Sequence, residues 1–130
     1  MSSDSTALIG ALIEKYHDRF SAGDIESVLN LWDDEGSVFE PGNATAKGKA
    51  QLRAAYERGY AGAEYYFASE IEEIVASDGL GSVLATATGR VTVKATGDVV
   101  PVTARQIFTV RRTTGEWRLL YYMFQEAPSG

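Results

Sequence analysis

Few side chains in this sequence are equipped for chemistry. Tyr16 and His17 are adjacent, Glu40 stands directly before Pro41, and Arg105 and Gln106 are neighbours near the C-terminal end. His17 is the only histidine and there is no cysteine. A disulfide, a thiolate or multi-histidine metal site and a cysteine nucleophile are therefore excluded. Asp33, Asp34 and Glu35 imitate a metal-binding acidic run, but they fall where a helix is expected to end, and they read as a solvated turn. Lys47-Gly48-Lys49 lacks the full phosphate-loop spacing. His17 follows Tyr16 by about 100° around a helix, which assigns it to the helix surface or an interface. Arg105 is placed on or near an interior, where it either pairs with a carboxylate or binds an acidic ligand. Neither a metal nor a cofactor is expected.

These groups need elements to position them. The chain has 130 residues, of which 45% are hydrophobic and 11% aromatic. That is enough for one domain over 1–130, with order expected over about 5–126. The net charge of −6 argues against nucleic acid and anionic membranes as partners. No apolar run approaches a membrane span and the N-terminus lacks a signal pattern, so a soluble cytoplasmic protein is expected.

Met1 to Asp4 reads as a loose polar lead-in. Leu8, Ile9, Leu12, Ile13, Tyr16 and Phe20 then recur at helical spacing and predict a helix over Ser5–Ala22. Gly23 suits the residue that ends it, and Asp24 suits the N-cap of the next helix. Ile25, Val28, Leu29 and Trp32 form the stripe of that second helix, broken by Asp33 to Gly36. Ser37–Glu40 reads as a short strand stopped by Pro41-Gly42-Asn43. A third helix is expected over Lys49–Gly59, followed by a loop through Gly62. Four strands follow, over Tyr65–Ala76, Ser82–Ala95, Val99–Arg112 and Glu116–Glu126. The short turns between them imply antiparallel pairing. Three helices before a strand meander is an α+β pattern.

The last strand carries Trp117, Leu119, Tyr121 and Met123 on one side and Leu120, Tyr122 and Phe124 on the other. Both sides are apolar and both need cover. Helices cover one; a partner subunit is expected on the other, giving a homodimer. Tyr16, Phe20, Trp32, Phe39, Tyr56, Phe108, Tyr122 and Phe124 are assigned to the interior. Hydroxyl-bearing rings suit a cavity wall, because each hydroxyl needs a partner in a solid core. A plain aromatic core fits the same spacing.

The stretches "SAGDIESVLNLWDDEGSVFEP", "KGKAQLRAAY" and "TTGEWRLLYYMF" resemble the nuclear transport factor 2-like superfamily, over nearly the whole chain. That superfamily includes ketosteroid isomerases and SnoaL-like polyketide cyclases. The resemblance implies a cystatin-like fold, with three N-terminal helices packed on a curved, mainly antiparallel sheet. It also implies a conical pocket and a homodimer through the outer face of the sheet. It fixes the fold far better than the function, because this fold hosts unrelated chemistries.

From Ile9 to Pro41 the chain is similar, without gaps, to bacterial ketosteroid isomerases. By that resemblance Tyr16 is the donor to a developing oxyanion and Glu40 is the base that moves a proton beside a carbonyl. Here the base is Glu where that family has Asp. The family's second acid, counted back from the Gly115 turn, falls near Ile107, and no Asp or Glu occurs from Val99 to Gly115. Gln106 is a substitute donor if it shares the pocket face. Tyr16 also reads as a core residue with a satisfied hydroxyl, and Glu40 as a solvated strand-end carboxylate. The expected ligand contacts are Phe20, Trp32, Phe39, Tyr56, Tyr60, Arg105, Ile107, Leu120, Tyr122 and Phe124. The expected ligand is a small apolar molecule, carbonyl-bearing if the chain is such an isomerase. Three readings follow: a cofactor-independent isomerase or cyclase, a non-catalytic ligand-binding module, and a dimerisation domain.

Overall fold

The apolar stripe of the first helix is what anchors the architecture. A computed structural model of the chain describes residues 2–127, residues 2–4 in backbone only. Helix α1 spans Ser2–Ala22, so the expected loose lead-in is helical from Ser2; Met1 lies outside the described residues. Ile9, Leu12, Ile13 and Tyr16 are buried, while Ala11, Glu14, Lys15 and Asp18 are exposed. That is one covered face and one wet face at helical period. Gly23 closes the helix at φ 74°, and the Asp24 side chain accepts from the Ser27 N–H at 3.2 Å to start α2, Ile25–Leu29.

Helix α2 stops short of Trp32. Trp32 instead opens strand β1, Trp32–Phe39, so the acidic run lies within a strand and is not a helix-ending turn. Strand β2 is the two-residue Ala46–Lys47, which pairs with β1 and was not anticipated. Helix α3 covers Gly48–Gly62 and absorbs the expected loop. Strands β3 (Ala63–Ser77), β4 (Leu80–Val93), β5 (Val99–Thr113) and β6 (Glu116–Glu126) complete a six-stranded sheet of order β2-β1-β6-β5-β4-β3. Pairing is antiparallel except for β1, which runs parallel to β6. Two hairpins turn on paired positive-φ residues, Asp78-Gly79 and Thr114-Gly115. That backbone twist matches the twist of the strands it joins.

The sheet curves around α1, which packs on β3 and β6, while α3 packs on β1 and β3. The fold is α+β, as the sequence predicts. Trp32, Phe108, Ile9, Ile13, Leu52 and Leu119 are among the fully buried side chains of the core. Burial of each stabilises by about 1.5–3 kcal/mol. Gly36 lies against the indole of Trp32, and a Cβ there would collide with the ring. No helix among the described residues is long and apolar enough to cross a membrane.

The last strand differs from simple alternation. Between the pairs Val110↔Leu119 and Thr109↔Tyr121, β6 carries one extra residue, Leu120. This bulge changes which parity faces inward. Leu119 and Tyr122 both join the core cluster, whereas Tyr121 and Met123 are about half exposed.

Candidate functional site

Between the helices and the concave face of the sheet lies a cavity of about 440 Å³. Helix α1 supplies Tyr16, His17 and Phe20 to it, and α3 supplies Tyr56 and Tyr60. The end of β1 supplies Val38, with Glu40 and Pro41 just beyond. Strand β5 adds Gln106, and β6 adds Tyr122, Phe124 and Glu126. Apart from Tyr65 the rest of the wall is small or apolar, including Phe67, Ala87 and Ala104.

The structure sorts the sequence candidates into three groups. Tyr16, Glu40, Phe20, Tyr56, Tyr60, Tyr122 and Phe124 line the cavity. Trp32 and Leu120 are buried but do not line it; Trp32 is core, and Leu120 sits at the bulge of β6. Arg105, Ile107 and Phe39 lie elsewhere. On β5 the inward residues are Ala104, Gln106, Phe108 and Val110, which turns Arg105 and Ile107 to the outer face, both exposed. Phe39 pairs with Met123 and its ring meets Tyr121, also on that outer face.

Gln106, not Ile107, occupies the pocket-facing position of β5. His17 corrects the expectation in the other direction. It is only 3% exposed and lines the cavity. The signal for Gln106 was present in the sequence, because Val102, Ala104, Phe108 and Val110 share its parity and are apolar. Nothing comparable marked His17, since a ring about 100° from Tyr16 is buried only when a curved sheet wraps that side of the helix.

Two hydrogen-bonded chains order the polar wall. In the first, the Trp32 indole N–H donates to the Tyr56 hydroxyl at 3.1 Å, and the Tyr56 and Tyr16 hydroxyls are 2.8 Å apart. An indole can only donate. If Tyr56 gives its own hydrogen to Tyr16, every donor in the chain is used and the Tyr16 hydrogen is left for the cavity. In the second, His17 Nδ1 is 2.9 Å from the Ile13 carbonyl, His17 Nε2 is 3.1 Å from Gln106 Oε1, and Gln106 Nε2 donates to the Tyr122 hydroxyl at 2.6 Å.

The rings are tightly arranged. Phe108 stacks on Tyr122 with centroids 4.3 Å apart and an interplanar angle of 2°. Tyr16 meets Tyr122 edge-on at 5.5 Å. Burial pushes the phenols of Tyr16, Tyr56 and Tyr122 well above their ordinary value, and the Glu40 carboxylate adds to this at Tyr56 and Tyr122. These phenols stay protonated and act as donors. Burial likewise holds the His17 imidazole below its usual value, against the pull of its bonds to Ile13 and Gln106.

Glu40 sits at the rim. Its side chain is 27% exposed and pairs with Arg58 at 3.3 Å, on an arginine that is 60% exposed. Such a solvated pair is worth little and leaves the carboxylate able to turn inward. Asp33 is different: it is 5% exposed and bonded to Arg111 at 2.8 Å, to Thr113 and to the Glu35 N–H. Burial works to raise its pKa, but those bonds hold it below the usual carboxylate range. The acidic run is a structural tie from β1 to β5.

A family model for the SnoaL-like domain matches residues 13–119. No curated protein matches the sequence. A solved ketosteroid isomerase-like protein from Erwinia carotovora atroseptica is 30% identical, with a TM-score of 0.90 over 95% of this chain and 96% of that one. An NTF2-like protein with a cystatin-like fold from Novosphingobium aromaticivorans is 22% identical, with a TM-score of 0.74 over 98% of this chain and 84% of its own. A scytalone dehydratase-like protein from the same organism is 13% identical, with a TM-score of 0.87 over 98% and 87%. The last two speak to the fold alone.

Proposed function

We propose that this chain, which belongs to the SnoaL-like domain family of the nuclear transport factor 2-like superfamily, binds a small, largely apolar, carbonyl-bearing molecule in its cavity and moves a proton beside that carbonyl. Glu40 is the base, and Tyr16 donates to the oxygen that becomes negative. The observation carrying this is that both line one apolar cavity; a Trp32–Tyr56–Tyr16 chain in which Tyr56 donates to Tyr16 also leaves the Tyr16 hydrogen for that cavity. A preset donor costs no reorganisation when the charge develops. An apolar wall strengthens the base once a ligand excludes water from it. The reaction needs no cofactor, because the proton leaves one carbon, rests on Glu40 and returns to another.

The test is turnover of a Δ5-3-ketosteroid or a polyketide-like ketone, with Glu40→Gln alongside. Loss of rate in the variant supports the reading; equal rates sink it.

A second reading, a non-catalytic binding module, is favoured by one observation: an amide, Gln106, stands where a second acid would be needed. Native mass spectrometry of freshly purified protein would then show a retained ligand.

We also propose a homodimer through the outer face. Leu84, Ile107, Met123 and Phe39 are register partners in one row across four strands. Ile107 is 49% and Met123 52% exposed. A second copy placed about a two-fold axis presents the same row to itself.

A further inference from the structure

The chain His17–Gln106–Tyr122 contains a proton that can be counted. Ile13 O can only accept, so His17 Nδ1 carries a hydrogen. With the Gln106 amide turned so that Oε1, which can only accept, faces the ring, Nε2 carries one too. In this arrangement the ring is an imidazolium. Gln106 gives its N–H to Tyr122, and the Tyr122 hydroxyl keeps its own hydrogen for the cavity that it lines. Turning the Gln106 amide over gives the neutral counterpart. Its N–H then donates to an unprotonated Nε2, and Tyr122 donates to its oxygen. No bond is lost. The two states differ by one proton on His17 and by one hydrogen aimed into the cavity.

We infer that His17, Gln106 and Tyr122 form a proton-coupled switch through which the cavity recognises a ligand bearing an oxyanion. When the anion binds, a proton from water adds to His17 Nε2, the Gln106 amide turns over, and Tyr122 gives its hydroxyl hydrogen to the ligand oxygen. This rests on reading the cavity as a ligand site, and not on catalysis by Glu40.

The surroundings favour this. On its own helix His17 has the Tyr16 ring edge-on at 5.5 Å and the charge of Asp18, which favours the imidazolium. From β5 it meets Gln106 and the Phe108 ring, and beyond Gln106 stands Tyr122 of β6. Around the cavity the titratable groups are Glu40 after β1, Tyr56 and Tyr60 on α3, Tyr65 on β3 and Glu126 on β6; β4 contributes only Ala87 and Val91. Burial outweighs Asp18 and keeps the free ring neutral near pH 7. An anion in the cavity supplies the counter-charge that burial withholds.

Because His17 is the only histidine, nitrogen-15 NMR of its ring is free of overlap. The free protein should show the neutral Nδ1–H form at pH 7. Saturation with 2-naphthoate should raise the titration midpoint of His17, with proton uptake seen by calorimetry in buffers of different ionisation enthalpy. Naphthoate affinity should then fall by up to about tenfold per pH unit between the midpoint of the free protein and that of the complex, and level off above the latter. The neutral isostere 2-naphthamide should leave His17 unchanged. Tyr122→Phe, with its fold checked by its amide spectrum, should bind naphthoate more weakly and naphthamide equally well. A free ring protonated at Nε2 alone, naphthoate binding without proton uptake, or no naphthoate binding would each overturn the switch. Proton uptake by a protein that turns over no ketone upholds the switch and removes only the isomerase reading.

Discussion

The hydroxyl of Tyr16 lies 2.8 Å from that of Tyr56, forty positions later in the chain. This contact joins α1 to α3 at the cavity wall. With Tyr56 accepting from Trp32 at 3.1 Å, a Tyr56 hydrogen given to Tyr16 leaves the Tyr16 hydrogen for the cavity. Removing each hydroxyl should therefore have a different effect. Tyr16→Phe should lower kcat on the ketone by about 10²–10³-fold. Tyr56→Phe should lower it less and destabilise more, by about 1–3 kcal/mol, because the buried Trp32 N–H loses its partner. Steady-state rates and urea unfolding of both variants check the order.

Asp33 is expected to matter for stability and not for rate. Asp33→Ala removes a buried carboxylate that holds Arg111, Thr113 and the Glu35 N–H. The loss should be on the order of 2 kcal/mol, read as a lower midpoint in urea with unchanged kcat. A drop in kcat without loss of stability would mean that the acidic run belongs to the site.

Stability should fall in two separate pH windows. His17 has a depressed pKa in the folded state, so the unfolded chain binds its proton first. Its contribution is complete above the unfolded value of ~6.5 and is lost as pH falls through the folded value. Asp33 is also depressed, so its contribution is complete above ~3.9 and is lost at lower pH. Urea midpoints measured in small pH steps should show the first loss in the wild type and not in His17→Gln. Both proteins should show the second.

Met123→Glu should convert a dimer to a monomer without changing the fold. The residue is 52% exposed in the middle of the outer row, with Ile107 and Phe39 as its register partners. A glutamate there would bury charge against its own copy. Sedimentation velocity with circular dichroism distinguishes the outcomes. A wild type that is already monomeric rejects the proposed interface.

The α1 stripe was legible because Ile9, Leu12, Ile13 and Tyr16 follow helical period and all face one core. Helix α2 was misread for the same reason. Trp32 continues the spacing of Ile25, Val28 and Leu29, yet it pairs with Leu119 in a parallel ladder. A partner 87 positions away leaves no mark on local periodicity. The faces of β5 could have been taken from parity, since Ala104, Phe108 and Val110 mark the inward set, and that alone moves Arg105 and Ile107 outside. The faces of β6 could not, because the extra residue at Leu120 shifts the parity midway. Tyr16 and Glu40 were reachable by resemblance. The His17–Gln106 contact spans 89 positions and needed the folded sheet to be seen.

The proposed reaction stands or falls on whether Glu40 moves a proton in this cavity. Incubation in D₂O with a Δ5-3-ketosteroid or a polyketide-like ketone would follow deuterium entering the carbon beside the carbonyl. The wild type should accelerate that exchange, and a folded Glu40→Gln variant should be slower by about 10²–10⁴-fold. Equal exchange in the two proteins, or none above the protein-free rate, would contradict it.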